Sequence, residues 1–398
     1  MKSYKVELNL NNKQRTACLN HAGAARFAYN WGLKRKIEAY RLGQKIPSAI
    51  DLYNELTALK KTAYPWLYDC SKCAPQEAIR NLDVAFKNFF QRCRNSAKKK
   101  GYPGFKSRKR GIGSFTLYGV IRATDKTIKL PRLGMLRLKE HGYIPADERI
   151  ISATISERAG HWFVSVNVDE KPTRPAGAET LGVDVGIKAL AVLSDGTIFE
   201  NPKALKAAAK RLRLFQKAVS RKKKGSSNRK KAVARLAVQH YRVACIRKDA
   251  IHRATDAITK RASILGIETL NVAGMLKNHC LAKALSDASM SEFHRQLEYK
   301  MKWADGTAVR ADRFYPSSKT CSACGVIKEE LTLGERTFKC DDCGNEIDRD
   351  LNAAINLKNM AVSSTVAACG EDIRPLGDFI EAGTEHCIKQ ISFGERRL

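Results

Sequence analysis

The amino-acid sequence predicts a multidomain α/β protein with two differently built halves. In roughly the first 170 residues, segments in which apolar and polar residues alternate are interrupted by segments with helical spacing. In the second half, a short apolar strand, a hairpin, a long basic helical tract and further strands follow one another. With 398 residues, of which 43% are hydrophobic, the chain is long enough for roughly two to four domains with their own cores. This composition excludes wholesale disorder.

A half-buried strand followed by helices is predicted at the amino terminus. Apolar residues alternate with polar ones over residues 4–10, which is the period of a strand. Helical spacing follows at 27–33 and, more strongly, at 79–93. The aromatic residues of this second helix are expected to lie in the core: Phe86, Phe89 and Phe90.

The pattern returns to strands after residue 101. Strands are predicted at 127–130, 151–155 and 162–168, with Ala159-Gly160 as the turn between the last two. Together with the first strand they predict a small β domain that a helical insert interrupts. Pro172, Pro175 and Gly177 mark a linker to the second half. The predicted boundaries are 1–12 and 106–172 for the β domain and 13–105 for the insert.

The second half is predicted to alternate between strands and helices. A strand at 180–186 leads into a hairpin that turns at 194–196, and a basic helical tract at 203–262 follows with a break at 225–227. This tract has few acids to neutralise its lysines and arginines, so we expect it to contact phosphate groups. The remaining pattern predicts a strand at 263–270, a helix at 290–303 and a strand at 308–314.

The charge of the chain predicts a polyanionic partner. There are 72 Lys and Arg residues against 40 Asp and Glu, which gives a net charge of +32 and does not fit an ordinary soluble enzyme of small metabolites. The amino terminus has no apolar signal segment, and no run of about 18 uncharged apolar residues occurs, so neither secretion nor membrane insertion is expected. Most of the 12 cysteines are scattered, which fits reduced thiols in a cytosol better than a disulfide framework.

Four clustered cysteines predict a structural zinc site. Cys321 and Cys324 form one C-x-x-C pair, and Cys340 and Cys343 form a second pair after a spacer of fifteen residues. Tetrahedral Zn²⁺ takes four thiolates at about 2.3 Å, and four protein ligands leave no open position for catalysis. Unliganded thiols and an iron–sulfur cluster are the alternatives. The remaining C-x-x-C pair has no counterpart and is expected to be a packing feature: Cys70 and Cys73.

Three carboxylates lie beside apolar segments. Asp184 is in the middle of an apolar strand, Glu268 ends another, and Asp350 follows the second cysteine pair. An ionised carboxylate in such surroundings is costly unless a cation compensates it, and a lysine could do so for one of them. Three acids in so basic a chain can cluster only around something positive, and two Mg²⁺ ions about 3.5–4 Å apart would meet that need. The order strand, hairpin, long helices, strand with Glu and helix with Asp is that of an RNase H-like nuclease core.

Several strings of residues resemble those of one protein family. In the carboxyl half they are Gly182–Lys188, Ile267–Val272, Phe314–Gly325 and Asp348–Ala354. In the amino half they are Ala25–Asn30, Asn81–Phe90 and Lys129–Gly134. They are similar to strings of the TnpB (OrfB) proteins of insertion sequences, which are compact RNA-guided DNA nucleases similar to type V CRISPR effectors. The resemblance covers most of the chain.

The resemblance implies an α/β multidomain fold around an RNase H-like RuvC nuclease core. The core is expected at 178–315 and 347–375, and a four-cysteine zinc ribbon that binds target nucleic acid is expected as an insert at 316–346. The amino-terminal β domain then corresponds to the family's wedge, a small β-barrel, and its helical insert to the recognition domain. A tail that is a candidate for disorder is expected at 376–398.

The resemblance also assigns roles to single residues. The family's three RuvC acids fall on Asp184, Glu268 and Asp350, which would hold two catalytic Mg²⁺ ions, while the four cysteines would hold one structural Zn²⁺. Asp348 competes for the third role, although the family pattern favours the Asp before Leu-Asn-Ala-Ala. Arg336 matches a position where the family often has an arginine that assists phosphate chemistry.

The implied partners are a guide RNA derived from the transposon end and a double-stranded DNA target. The guide would form an R-loop beside a short target-adjacent motif, and one site would cut both strands. Lys72 and Gln76 match polar positions of the family's helical domain that read this motif, whereas Tyr118-Gly119 stands where one nuclease of the family has small polar residues. A monomeric ribonucleoprotein is expected in a prokaryotic cytoplasm, associated with the nucleoid and with no membrane partner.

Two other functions are open at this point. A nuclease-inactive relative would use the same RNA-guided binding to repress transcription, and loss of one or more of the three acids would mark that class. All three acids are present here. A DNA transposase with metal chemistry in an RNase H-like core would act without RNA, so removing RNA from the purified complex separates it from a guided nuclease.

Overall fold

The computed structural model comprises two compact units, which divide the chain between Lys171 and Pro172. The structure describes residues 2–95, 100–146, 148–169, 177–332 and 334–368. The linker prolines Pro172 and Pro175 and the tail expected at 376–398 lie outside these residues. No helix within the described ranges combines the length and the apolar character that crossing a membrane requires.

The first unit contains a seven-stranded antiparallel sheet. Its strands are β1 (Lys2–Asn9), β2 (Ser114–Leu117), β3 (Arg122–Ala123), β4 (Thr127–Leu130), β5 (Gly134–Leu138), β6 (Ile150–Arg158) and β7 (His161–Val168). They are ordered β2-β6-β7-β1-β5-β4-β3. Tyr4, Val6 and Leu8 of β1 are buried, and the residues between them are more exposed, as the alternation predicts. The closure of this sheet into a barrel stays a prediction.

Between β1 and β2, the described residues form three α-helices: α1 (Asn12–Arg41), α2 (Ala49–Thr62) and α3 (Cys73–Arg94). Capping boxes begin the first two, formed by Asn11 with Gln14 and by Ser48 with Asp51. The predicted helical segments lie in α1 and α3. Helix α2 adds to them; its buried residues recur only once per turn, so its apolar signal in the sequence is weak.

The expectation that the aromatic residues of α3 lie in the core holds for Phe86, which packs against the core of the first unit, and is wrong for Phe90. Phe90 is 51% exposed, and Phe86 and Phe89 are only partly buried. The fully buried residues of α3 lie between Ala74 and Leu82. Helical spacing shows which residues share a face, but it does not show whether another element covers that face.

The second unit is built on a five-stranded mixed sheet. Its strands are β8 (Glu179–Asp184), β9 (Ala189–Leu193), β10 (Ile198–Glu200), β11 (Ala262–Ile267) and β12 (Thr307–Arg310), in the order β10-β9-β8-β11-β12. β8, β11 and β12 run parallel, and β8, β9 and β10 form antiparallel hairpins. The turn expected at 194–196 joins β9 to β10.

The described helices of this unit are α4 (Ala204–Ser220), α5 (Ser227–Arg261), α6 (Val272–Met275), α7 (Ala282–Ala288), α8 (Met290–Trp303) and α9 (Arg349–Ala368). The break expected at 225–227 separates α4 from α5, with Gly225 in the left-handed region at φ +88°. The buried core joins the sheet to α5 and α8 through residues such as Leu265, Ile258 and Phe293. A two-stranded sheet, β13 (Thr337–Lys339) and β14 (Glu346–Asp348), precedes α9.

Candidate active site and metal centre

Asp184 and Glu268 lie at the same edge of the second sheet. β8 and β11 run parallel with Val183 opposite Ile267. The next residue in each strand direction is an acid, Asp184 after Val183 and Glu268 after Ile267. Neighbouring strands are about 4.8 Å apart, which brings the two acids close together. Both are partly exposed. Asp184 is the last residue of β8 and not in the middle of a strand, because the chain leaves the ladder there to form the connection to β9.

Helix α9 carries Asp350 to this edge because it lies directly on two glycines. Gly182 and Gly266 are opposite each other on β8 and β11, each two residues before an acid. A Cβ added to Gly182 would lie 1.9 Å from the carbonyl oxygen of Ala354, and one added to Gly266 would lie 2.1 Å from that of Leu357. The backbone of α9 therefore occupies the space that a side chain would need at either position.

The three acids share one electrostatic environment. Burial raises the pKa of Asp184 well above its ordinary value, and the negative charges of Glu268 and Asp350 raise it further. Burial also raises the pKa of Glu268 to about 7, although the backbone N–H of Val185 donates to this carboxylate and opposes the shift. The carboxylates of Glu268 and Asp350 thus disfavour the ionised form of Asp184, and a bound cation would reverse that effect.

Two neighbours of Asp350 hold the start of α9. The Arg349 guanidinium donates to Oδ1 of Asp350 at 3.2 Å and to the carbonyl oxygen of Glu335 at 3.0 Å. One carboxylate oxygen of Asp348 accepts the backbone N–H groups of Asp350 and Leu351 at 2.9 and 3.1 Å. This arrangement is a helix N-cap, so the carboxylate of Asp348 has a structural role at this position.

The four predicted zinc cysteines converge on one point. Their sulfur atoms all lie within 4.8 Å of one another, with 3.7 Å between Cys321 and Cys343 and 3.5 Å between Cys324 and Cys340. A tetrahedral site with Zn–S bonds of about 2.3 Å requires separations of about 3.8 Å, so the donor set fits zinc. The residue after each pair is a glycine with positive φ, as a tight turn requires: Gly325 and Gly344. Cys70, of the pair expected to pack, is buried, and Cys73 is partly buried.

Two asparagines of α9 join this helix to the loop that carries the first cysteine pair. Asn352 accepts from the backbone N–H of Ser322 at 2.9 Å and donates to the carbonyl oxygen of Thr320 at 2.7 Å. One turn later, Asn356 donates to the carbonyl oxygens of Ser317 and Thr320 at 2.8 and 2.7 Å. Both side chains are buried, so breaking these bonds would leave polar groups unpaired. These hydrogen bonds therefore fix the position of α9, and with it the third acid, relative to the loop of the first cysteine pair.

Arg336, the candidate auxiliary residue, is exposed just before β13. Its carbonyl oxygen accepts the backbone N–H of Arg349 at 2.8 Å, which ties its backbone to the start of α9. The backbone of Arg336 therefore lies beside the start of α9, which carries the third acid. Among the described residues, no contact of the Arg336 side chain with the acids is recorded.

Lys72 and Gln76, the candidate motif-reading residues, lie together in the first unit at the start of α3. The backbone N–H of Gln76 donates to the carbonyl oxygen of Lys72 at 3.4 Å; Lys72 is exposed and Gln76 is partly buried. Tyr118 is close to the same turn, because its carbonyl oxygen accepts from the Cys73 thiol at 3.8 Å and its hydroxyl donates to Glu77 at 3.4 Å.

The sequence reasoning missed the residues that position the acids. Asn352, Asn356 and Arg349 lie inside the string that contains the third acid, but hydrogen-bond partners distant in the chain are not visible in a string. The two glycines had a readable signal, because the spacing glycine, apolar residue, acid occurs before both Asp184 and Glu268.

Three family profiles match the chain. Residues 1–45 match a profile described as a helix-turn-helix domain, residues 163–279 match "Probable transposase" of the OrfB_IS605 family, and residues 291–357 match the TNB domain of Cas12f1-like proteins. The described part of the first segment forms β1 and the single helix α1.

Curated relatives match nearly the whole chain. One from Streptomyces pristinaespiralis, named "Putative RNA-guided DNA endonuclease", is 36% identical over 358 residues, or 89% of this chain and 87% of the relative. Another from Escherichia coli K12, with the same name followed by InsQ, is 30% identical over 94% of this chain and 96% of the relative. A cryo-EM structure of a Cas12f1–sgRNA–target DNA complex matches with a TM-score of 0.53 and 16% identity, covering 87% of this chain and 82% of that chain, which supports a similar mixed α/β fold. The resemblance found in the sequence is therefore confirmed, and the chain belongs to the TnpB (OrfB) family.

Proposed function

We propose that this chain is an RNA-guided DNA endonuclease that cuts both strands of a target at one RuvC-type, RNase H-like site. The observation that carries the proposal is the convergence of Asp184, Glu268 and Asp350 at one partly exposed sheet edge. The names of the relatives and the net charge of +32 support the assignment of RNA and DNA as partners.

The donor chemistry of the three acids fits two Mg²⁺ ions. Magnesium prefers carboxylate oxygens, and the pKa of Asp184 is raised first by burial and then by the negative charges of Glu268 and Asp350, with Arg349 opposing them. When bound, the ions would supply Lewis-acid stabilisation of the attacking and leaving oxygens of a phosphodiester. Attack of water on a phosphodiester at such a site would make the protein a hydrolase.

The contribution of the protein's own residues is positioning. Two parallel strands hold Asp184 and Glu268, and the first turn of α9 holds Asp350, where the partial positive charge of a helix amino terminus favours anions. We assign the exposed guanidinium of Arg336 a contact with the phosphate group. Asp348 keeps its role as the cap of α9.

The cysteine set fits one structural Zn²⁺ in a ribbon at 316–346. Zinc would hold the sulfur atoms of Cys321, Cys324, Cys340 and Cys343 at the separations described. The hydrogen bonds of Asn352 would then fix α9, which carries the third acid, relative to this loop. We assign this ribbon to the binding of target nucleic acid.

The first unit is assigned to guide and motif recognition. Residues 1–12 and 106–172 would form the wedge and 13–105 the recognition insert, with Lys72 and Gln76 contacting the target-adjacent motif. Base pairing with a guide RNA from the transposon end would read the rest of the target in an R-loop, so the protein needs only the shape of the heteroduplex and one short motif. The basic helices α4 and α5 would contact phosphates.

The test is to sequence the RNA that co-purifies with the protein and to replace its guide segment. Plasmids with random bases beside a fixed target are then exposed to protein that carries either of two guides. We expect cut sites to follow the guide and to share one flanking motif.

The same experiment separates the alternatives. Cutting of the same sites by RNA-free protein would identify an RNA-independent transposase, whereas guided binding without cutting by the parent chain would identify a repressor. The matched control is Asp184→Asn, which keeps the size of the side chain and removes one metal-binding charge.

A further inference from the structure

The apolar face of α3 continues beyond the residues that the first unit buries. Ile79 and Leu82 are fully buried, and Phe86, Phe89 and Phe90 repeat along the same face at three- and four-residue intervals. None of the described residues from Asp83 to Arg94 is fully buried, and Phe90 is 51% exposed. Phe86 still packs against the core of the first unit, so the part of this apolar stripe that reaches solvent is centred on Phe90, with Phe89 partly buried beside it.

Four rings form an ordered aromatic cluster on this stripe: Phe86, Phe89, Phe90 and Tyr102. The ring centroids of Phe86 and Phe90 are 6.3 Å apart, and those of Phe89 and Phe90 are 5.2 Å apart. Tyr102, which is 56% exposed, contacts Phe86 and Phe89 edge-on, with ring centroids 5.7 and 5.2 Å apart. The rings support one another, so the cluster presents a partly rigid surface with two of its rings open.

The charged residues that follow Asp83 along the cluster are all positive, and Asp83 itself is ion-paired with Lys36 at 2.9 Å. Residues 84–102 include Lys87, Arg92, Arg94 and Lys100, all of which are exposed, and contain no Asp or Glu. Stacked aromatic rings flanked by cations are the features with which proteins bind unpaired nucleobases and their phosphates. A second copy of this chain fits poorly, because it would bring two such cationic surfaces together.

We infer that the aromatic cluster is a stacking platform for unpaired bases of the guide RNA. The inference rests on the proposed function and adds a specific contact surface to it. The RNA is favoured over the DNA because the guide stays bound before and after each target, so it can cover an apolar surface permanently. Single-stranded RNA bases stack on aromatic side chains in this manner.

The experiment compares Phe90→Ala with Val84→Ala in the full-length protein. Val84 is on the same helix and is also 51% exposed, but it lies outside the stripe. Affinity for the guide RNA is measured by filter binding over a series of salt concentrations. We expect Phe90→Ala to weaken binding by about 5- to 150-fold, the range for loss of one stacked base, with an unchanged slope of log affinity against log salt. Val84→Ala should match the parent, and Phe90→Tyr should restore binding.

A Phe90→Trp variant tests the source of the bases. Its additional fluorescence should be quenched on addition of the guide RNA alone. Quenching only when target DNA joins the preformed protein–RNA complex would overturn the assignment to RNA. A dimer of RNA-free protein that Phe90→Ala converts to a monomer, measured by light scattering, would overturn it in favour of self-association.

The failure of this inference can be distinguished from that of the proposed function. If the parent protein binds its guide and cuts DNA while Phe90→Ala binds RNA as tightly as Val84→Ala does, only the stacking platform is refuted. If the parent protein binds no guide RNA, the proposed function itself fails and the platform fails with it.

Discussion

Replacing Gly266 with alanine should displace α9 and slow DNA cleavage while leaving guide RNA binding intact. The new Cβ would lie 2.1 Å from the carbonyl oxygen of Leu357 and 3.1 Å from the Cβ of Ala361. Because real Cβ contacts below 3.0 Å essentially do not occur, the helix backbone must withdraw by about 1 Å. Overpacking of this kind costs about 1–3 kcal/mol of unfolding free energy. A shift of about 1 Å in a catalytic group costs about 10²-fold in rate.

The assay is single-turnover cleavage of a matched plasmid by protein saturated with guide RNA, together with chemical denaturation. Gly104→Ala is the control, because no atom lies within 4 Å of its added Cβ and its φ is not in the left-handed region. Guided DNA binding should survive in Gly266→Ala, which distinguishes a displaced helix from an unfolded protein. Cleavage at the parent rate with unchanged stability would refute the reasoning that α9 is seated on this glycine.

Further predictions concern the acids, the cap, the zinc link and the charge. Asp184→Asn should abolish cleavage but leave guided DNA binding nearly intact in a gel-shift assay, because the acid positions ions and does not hold the heteroduplex; full activity would contradict the metal-site assignment. Asp348→Ala should lose about 1 kcal/mol of unfolding free energy through its N-cap and reduce cleavage only mildly, and Asp348→Asn should restore stability. The purified protein should contain about one zinc per chain, and Cys340→Ser should lower both zinc content and cleavage. Asn352→Ala should lower cleavage while metal analysis still finds the zinc; unchanged cleavage would show that the link through α9 is unimportant. Guide RNA affinity should fall linearly with salt on a double-logarithmic plot, and a flat dependence would contradict binding through many phosphate contacts.

Much of the secondary structure could be predicted because its signals are local. The strand at Thr127–Leu130 and the helix at Met290–Trp303 have the predicted bounds, since apolar period and turn residues mark both ends. The predicted carboxyl-terminal end of the strand that contains Asp184 was less accurate, because the apolar run continues past Asp184, where β8 ends. A run of apolar residues does not record where a ladder of hydrogen bonds ends.

The candidate site was predictable only in part. The three acids and four cysteines stand out because their chemistry is unusual in their surroundings. The hydrogen bonds of Asn352 and Asn356 depend on partners about thirty or more residues away, so no local pattern reports them. Phe90 illustrates the opposite error, because its spacing is that of a core residue although no described element covers it completely.

The place of α9 in the chain has a consequence for biosynthesis. β8 and β11 leave the ribosome long before this helix, which is the last element that the structure describes. Until it arrives, the face formed by Gly182 and Gly266 exposes bare backbone, and one acid is missing from the edge. Since chains fold from the amino terminus as they emerge, the nascent protein can begin to order its other elements before α9 is made. On the proposed assignment of Asp350 to the metal site, cleavage would therefore have to wait until α9 has been synthesised and packed on the two glycines.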